Sequence, residues 1–456
     1  MNIIIVGVGE GGYQIASVLS KDEHSVVLID QSAEVLDNAS RYLDVKAVLG
    51  DGVNPRVLRE ADVQRSDFVL ALTTNDEANM VICFLSKTLG AKKTVARVRN
   101  PEYSGYFVAQ AKSVMATRRV ITPETLGISL MVNPDIIASE EAAEILSSRY
   151  TASKIEFAEG KVNLKEFRVA KSELTNKPLN ALVLSKPYVV TAIIRANQVI
   201  IPKEDHTLKR GDRVWVSAAK EDINVIGDSF DELRPKAKMV SVLGGEHTGF
   251  RLAQILEKRG IHVKLIEPDP ARCRDVAEQL EQVEVVQGTG TDIDGLVDEG
   301  IPASDGFIAA TGKDETNILA ALVAKSLGVP VSLSIVEKPQ YVSIAESVGV
   351  DVAVSPLLLT ASRVMQFIRS SSVVSLSFLA GLQLEAVEIV VTENSAIANR
   401  RFNEVKIPEA ITIGAIVHNG KAIIPDKGTE VEPGDHVVMV GSPEAVRAAE
   451  RFFNKP

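Results

Sequence analysis

The 456-residue chain is written twice, and that repetition constrains its fold more than any single motif. Gly288-Thr289-Gly290 stands where Gly50-Asp51-Gly52 stands earlier, residues 309–317 match residues 71–79, and Pro339-Gln340-Tyr341 matches Pro101-Glu102-Tyr103. The separation stays near 238 from Gly50/Gly288 to Tyr103/Tyr341. A second matched series pairs residues 192–202 with 415–425, and Gly211-Asp212 with Gly434-Asp435, at a separation of 223. Long matches at fixed spacing are the mark of tandem duplication. The length itself exceeds the ~100–200 residues of one ordinary domain.

Within the first copy, residues 3–6, 26–30, 46–49, 68–72 and 94–99 read as short apolar strands. Helical patterns at 32–42, 55–61 and 77–89 separate them. Strands alternating with helices in this way imply a doubly wound parallel sheet. The segments around the 192–202 and 415–425 matches hold β-branched strands and turn residues. They read as small domains of about 80 residues, near the lower limit for an independent core. The fold class is therefore α/β, a tandem duplication of a Rossmann-like doubly wound parallel sheet followed by a small β-rich α+β domain. The expected boundaries are a first α/β lobe over 1–120, a crossover helix over 121–143 and a small domain over 144–228. A joint at 229–236, broken by Pro235, leads to a second lobe over 237–354, a crossover helix over 355–370 and a second small domain over 371–456. The first crossover opens with Thr122 as N-cap and Pro123 at N1. Both crossover stretches carry apolar residues on more than one face, which fits a core helix or a helix that crosses to another subunit.

The first copy begins with a strand, the turn Gly7-Val8-Gly9-Glu10-Gly11-Gly12, a helix, and a second strand ending in Asp30. The glycines fill G-x-G-x-x-G. Gly7 permits the tight turn, Gly9 lets backbone approach a pyrophosphate, and Gly12 lets helix pack on strand. The helix N-terminus offers unpaired N–H groups and partial positive charge to phosphates. Asp30, with Gln31 beside it, stands where a carboxylate accepts the hydroxyls of an adenosine ribose. Gly50 and Asp51 follow the third strand, within reach of adenine or ribose. Thr73, Thr74 and Asn75, with Glu77 after them, follow the fourth strand on the carboxyl edge where ligands bind. Arg97 and Arg99 are expected on one face of the fifth strand, aimed at phosphate charge, with a salt bridge as the alternative.

In the second copy Gly9 becomes Glu246, Asp51 becomes Thr289, Arg97 becomes Ile335 and Arg99 becomes Glu337. Gly244, Gly249 and Glu267 remain, so the turn and a ribose acceptor persist. Glu246 sets bulk and negative charge where a pyrophosphate must come. The second site is expected to be empty or weak for dinucleotides, with Lys313 as partial compensation.

A net charge of −10 and 5% aromatic residues argue against nucleic acid as a partner. Cys83 and Cys273 lie far apart and read as packed thiols of a reducing compartment. A core strand already begins at residue 3, so no signal peptide is expected. No apolar run approaches the ~18 residues of a membrane span. A dehydrogenase would need an acid/base beside the nicotinamide. His24 and His262 precede matched second strands, and His206, His418 and His436 lie in the small domains with no carboxylate relay evident. Metal-cluster, P-loop and nucleophile-elbow motifs are missing from the sequence. Binding without catalysis is the expectation, with an NAD-dependent oxidoreductase as the rival.

Taken together, these residues resemble the regulator-of-K⁺-conductance (RCK/KTN) family. The likeness covers essentially the whole chain. It is carried by residues 7–12, 50–52, 72–79 and 96–103, and by the two Gly-Asp turns. The resemblance implies a cytosolic, non-enzymatic regulatory subunit that binds NAD (NADH/NAD⁺), with ATP or ADP as alternatives. It implies gating of a membrane-embedded Trk-type potassium channel subunit from the cytoplasmic face of the inner membrane. It also implies a homo-oligomer, a tetramer ring built as a dimer of dimers, and no nucleic acid. The family's site carries onto Gly7, Gly9, Gly12, Asp30, Asp51, Thr73, Asn75, Arg97 and Arg99, and poorly onto the second copy. Some relatives place an arginine at the position of Glu10 to meet the terminal phosphate of ATP. A glutamate there implies a preference for NAD(H), and Asp30 implies rejection of the NADP 2′-phosphate.

Overall fold

The computed structural model describes residues 1–21, 24–100, 103, 123–148, 154–196, 198–230, 236–369, 373–380, 383–405, 408, 410–426 and 428–453. Pro101, Glu102, Thr122 and Pro235, most of the 229–236 joint and the expected domain edges at 120–121 and 371 lie outside the described residues. The chain divides into two compact units, Met1–Ile137 with Leu359–Ile368, and Ala138–Leu358 with Arg369–Pro456.

The first unit is built from β1 (Asn2–Val6), α1 (Glu10–Lys21), β2 (Ser25–Asp30), α2 (Ala33–Tyr42), β3 (Lys46–Leu49), α3 (Pro55–Glu60), β4 (Phe68–Ala71), α4 (Asp76–Thr88), β5 (Lys93–Arg97) and β6 (Leu130–Val132). Its strands run parallel in the order β3-β2-β1-β4-β5-β6. Ile3, Ile4 and Ile5 are buried in succession, as a strand covered on both faces requires. Ser32, Asn54 and Asn75 each accept a backbone N–H at the start of α2, α3 and α4. The strand order reverses between β1 and β4, which opens the crevice at their carboxyl ends.

The crossover differs from expectation. Residues 130–132 add a sixth parallel strand, paired with β5. Helix α5 (Pro134–Ser147) begins only after it, where Asn133 Oδ1 accepts from Asp135 N (3.0 Å) and Ile136 N (3.1 Å). Three apolar residues are too few for periodicity to tell strand from helix.

The second unit continues with β7 (Lys154–Phe157), β8 (Val162–Arg168), β9 (Val189–Arg195), β10 (Gln198–Ile200), β11 (Arg213–Ala219) and α6 (Ile223–Phe230). The second lobe follows as β12 (Met239–Leu243), α7 (His247–Lys258), β13 (His262–Glu267), α8 (Pro270–Gln279), β14 (Val283–Gln287), α9 (Ile293–Asp298), β15 (Gly306–Ala309), α10 (Asp314–Ser326), β16 (Ser332–Ile335), α11 (Gln340–Val348), β17 (Val352–Val354) and α12 (Pro356–Ile368). Its order β14-β13-β12-β15-β16-β17 reproduces the first sheet strand for strand. The last segment holds β18 (Val373–Leu379), β19 (Leu384–Val390), β20 (Arg400–Arg401), β21 (Ile411–His418), β22 (Lys421–Ile423), β23 (Glu430–Val431), β24 (His436–Gly441) and α13 (Pro443–Phe453).

The crossover helices explain their apolar faces by exchange within the chain. From Ala138 onward α5 belongs to the second unit, where the Ser139 hydroxyl donates to Thr248 O at 2.9 Å and Arg259 donates to Ala143 O at 3.0 Å. From Leu359 onward α12 belongs to the first unit, where Phe367 meets Phe68 edge-on at 5.8 Å. Each copy's helix thus covers the other copy's lobe. The small domains are likewise not independent. Trp215, Leu164 and Ala192 from one sheet share a core with Leu384, Ala415 and Val438 from the other. That shared face supplies the burial that about 80 residues alone supply poorly.

Candidate nucleotide-binding site

The site is assembled at the carboxyl edge of the first sheet. Gly7 has φ of +92°, and a Cβ there would lie 2.8 Å from Thr73 N, so the turns after β1 and β4 touch. A Cβ on Gly12 would lie 2.0 Å from Gly7 O. A Cβ on Gly9, by contrast, meets nothing within 4 Å. The three glycines therefore do different work: two close the fold, and Gly9 leaves room above the turn. Helix α1 starts at Glu10, which is exposed, and its first-turn N–H groups have no intrahelical partners.

Asp30 is already engaged. Its Oδ2 accepts from Val8 N at 2.7 Å and its Oδ1 from Ser32 N at 2.9 Å. The carboxylate pins the glycine turn to the end of β2, and each oxygen keeps a further lone pair for a hydroxyl. Gln31 is exposed beside it. Asp51 Oδ1 accepts from Val53 N at 3.0 Å. Gly50 is set by packing, since a Cβ would lie 2.6 Å from Val57. Thr74 is exposed after β4, Asn75 caps α4 through Ala78 N, and Glu77 accepts from the Tyr103 hydroxyl at 3.1 Å.

The two arginines part company. Arg97 ends β5 and donates to Thr73 O at 3.3 Å, which brings it to the crevice. Arg99 lies beyond the strand, contrary to expectation, and its guanidinium is gripped by Asp135 through two bonds of 2.9 and 3.1 Å. Asp135 is buried, so this pair fastens the start of α5.

Two residues that sequence reasoning passed over hold the crevice together. Asn79 is fully buried. Its Oδ1 accepts from Thr73 N and the Thr73 hydroxyl (2.9 and 2.7 Å), and its Nδ2 donates to Thr73 O and Arg97 O (3.0 and 2.8 Å). Asp76 accepts from the backbone of Arg99 and Asn100. Asn317 and Asp314 repeat both arrangements in the second lobe. Their identity across the duplication was the available signal. Replacing Asn79 with Ala should destabilise the first unit by about 2 kcal/mol, since buried backbone groups lose their partners. Urea unfolding monitored by hydrogen exchange in β4 and β5 would measure it, and a change below about 0.5 kcal/mol would contradict this role.

In the second lobe Gly244 (φ +102°) and Gly249 repeat the turn, and Glu267 accepts from Gly245 N at 2.6 Å and Asp269 N at 3.0 Å. Glu246 serves as N-cap residue of α7 but makes no side-chain cap bond. Lys313 stands at the N-cap of α10, the place of Asn75. Arg272 donates to Gly245 O at 2.7 Å, so a cation from α8 faces this turn.

Cys83 is buried, and desolvation pushes its thiol up to about 12. Cys273 is only partly buried, against expectation, and its thiol is also raised, by burial first and then by Glu267 and Asp269. Among the described residues, no group of His, Cys, Asp and Glu could hold a metal ion, and no helix is long and apolar enough to cross a membrane.

The family model described as TrkA-N domain matches residues 3–123 and 240–356, and that described as TrkA-C domain matches 164–231 and 386–454. The chain belongs to the TrkA family. It is 33% identical over 454 residues to an Archaeoglobus fulgidus protein named Trk system potassium uptake protein TrkA homolog, covering 99% of this chain and all of that one. It is 29% identical over 462 residues to the Halomonas elongata Trk system potassium uptake protein TrkA, covering 99% and 98%. Among solved structures, the TrkA-family chain shares its fold with one described as GsuK channel bound to NAD (TM-score 0.61, 16% identity, 100% of this chain and 79% of that one). Another is described as the GsuK RCK domain (TM-score 0.60, 16% identity, 100% and 95%). The duplicated Rossmann-like architecture read from the sequence is thus that of the family.

Proposed function

We propose that this TrkA-family chain is a regulatory subunit of potassium uptake that binds NAD(H) in its first lobe and gates a membrane-embedded Trk-type channel subunit. The carrying observation is the contrast between duplicates. Gly9 leaves open space above a helix N-terminus, with Asp30 and Arg97 at the same crevice, while Glu246 fills the matching position in the second lobe. The names of the relatives supply the potassium uptake context. The subunit acts without catalysis, from the cytoplasmic face, as a homotetrameric ring. Nucleotide binding shifts the population of ring shapes by its differential affinity for them.

NADH titration of the full chain tests the site. Glu10 opposes a triphosphate, so NADH should bind more tightly than ATP, and Glu10→Arg should raise ATP affinity about tenfold, worth ~1.4 kcal/mol. ATP binding tighter than NADH in the wild type would defeat the assignment. Copurification with a multi-span potassium transporter, and loss of potassium uptake when the chain is deleted, test the gating role separately.

A further inference from the structure

The small domains repeat two ion pairs with one systematic change of chemistry. In the first, Arg195 on β9 binds Asp212 through two bonds of 2.9 and 2.7 Å, and Arg213 on β11 binds Glu166 on β8. In the second, His418 on β21 binds Asp435 at 2.8 Å, and His436 on β24 binds Glu388 on β19. The positions correspond: Gly211-Asp212 matches Gly434-Asp435, and Lys209 N and Glu432 N donate to the respective aspartates. Along the chain the partners stand apart from these histidines, Asp435 17 residues from His418 and Glu388 48 residues from His436.

A guanidinium stays charged at any physiological pH, whereas an imidazole changes charge near neutrality. The carboxylates are the buried members. The side chains of Asp435 and Glu388 are 4% and 2% exposed, against 29% and 34% for their histidines. A buried carboxylate that loses its counter-charge is strongly disfavoured. Glu388 also accepts from Ala158 N at 2.8 Å, in the turn between β7 and β8, so it ties the second small domain to the first.

We propose that the His418–Asp435 pair makes the second small domain proton-responsive. Protonated His418 closes its ion pair, and loss of that proton leaves buried Asp435 under-compensated and loosens the turn that Glu432 N ties to it. At the matching place in the first small domain Arg195 keeps its charge, so that pair does not respond.

The groups facing these histidines carry both signs of charge. His418 faces Asp435 and, farther off, Glu432, with Asn419 on its Nε2 and Lys421 opposite on β22. Lys161 reaches the Asn419–Gly420 turn. His436 faces Glu388. The turn packed on Glu388 carries Glu159 and Lys161, with Glu156 and Lys220 beside Gly160. Asp435 raises the pKa of His418 above its ordinary value. A raised histidine contributes stability that is fully present below about pH 6.5 and is lost as pH climbs through the folded value.

Hydrogen exchange of the full-length chain, corrected for intrinsic pH dependence, tests the idea. Protection of the Glu432 amide, which donates to Asp435, should fall about threefold or more between pH 6 and pH 8 in the wild type. In a His418→Arg variant, which copies Arg195 of the first domain, it should stay constant. A wild-type turn whose protection does not change across that range overturns the proposal without recourse to any variant. An equal loss in wild type and a folded His418→Arg variant overturns it as well.

Discussion

Replacing Gly9 with Glu should leave the first lobe folded and lower NADH affinity by about 100-fold or more, a loss of ~2.8 kcal/mol. The substitution copies what the second copy carries at Glu246. A Cβ at Gly9 meets nothing within 4 Å, so the fold has no steric objection to a side chain there. The objection comes from the ligand. The turn sits at the N-terminus of α1, where a pyrophosphate would be held by backbone N–H groups and the helix dipole. A glutamate there adds atoms where phosphate oxygens belong and sets like charges a few ångströms apart in a crevice less polar than water. Fluorescence titration with NADH, alongside thermal unfolding, reads both halves of the expectation. Unchanged affinity would remove the pyrophosphate from this turn, and a collapse in melting temperature would show that the space above Gly9 is not free.

Gly12→Ala should have the opposite signature, destabilising the first unit by about 3 kcal/mol whether or not nucleotide is present. The new Cβ would stand 2.0 Å from Gly7 O, a backbone atom that no rotamer change can move aside. Relief requires α1 to back away from β1, which uncovers the packing of Ile15, Ala16 and Leu19. Gly249→Ala provides the comparison, because a Cβ there would also lie 2.0 Å from Gly244 O. Equal losses at Gly12 and Gly249 would establish that this glycine serves helix packing in both lobes, independent of any ligand. Hydrogen exchange along urea unfolding separates the two units, and a loss below about 1 kcal/mol at either position would refute the packing argument.

Much of the architecture was legible because it rests on local rules applied twice. Alternating strands and helices, the caps at Ser32, Asn54 and Asn75, and the buried run Ile3-Ile4-Ile5 are written in neighbouring residues. The candidate site was legible in part. Gly7, Gly9, Gly12, Asp30, Thr73 and Arg97 converge at the β1–β4 crevice, whereas Arg99 is committed to Asp135, 36 residues away. The sixth strand was hidden by its brevity. Asn79 was marked by its identity with Asn317, but that identity does not say what the side chain bonds, which only its four partner atoms show.

The sequence alone determined that the chain is a duplication, which lobe kept an open glycine turn, and which family it belongs to. Each of those rests on residue identity at fixed spacing. Tertiary structure alone decided where the crossover helices go, that the small domains share one core, and which carboxylates the histidines meet. Those outcomes depend on surfaces far apart in sequence finding one another. An apolar face records that it must be buried but not against what, and a histidine records that it can titrate but not which charge stands beside it.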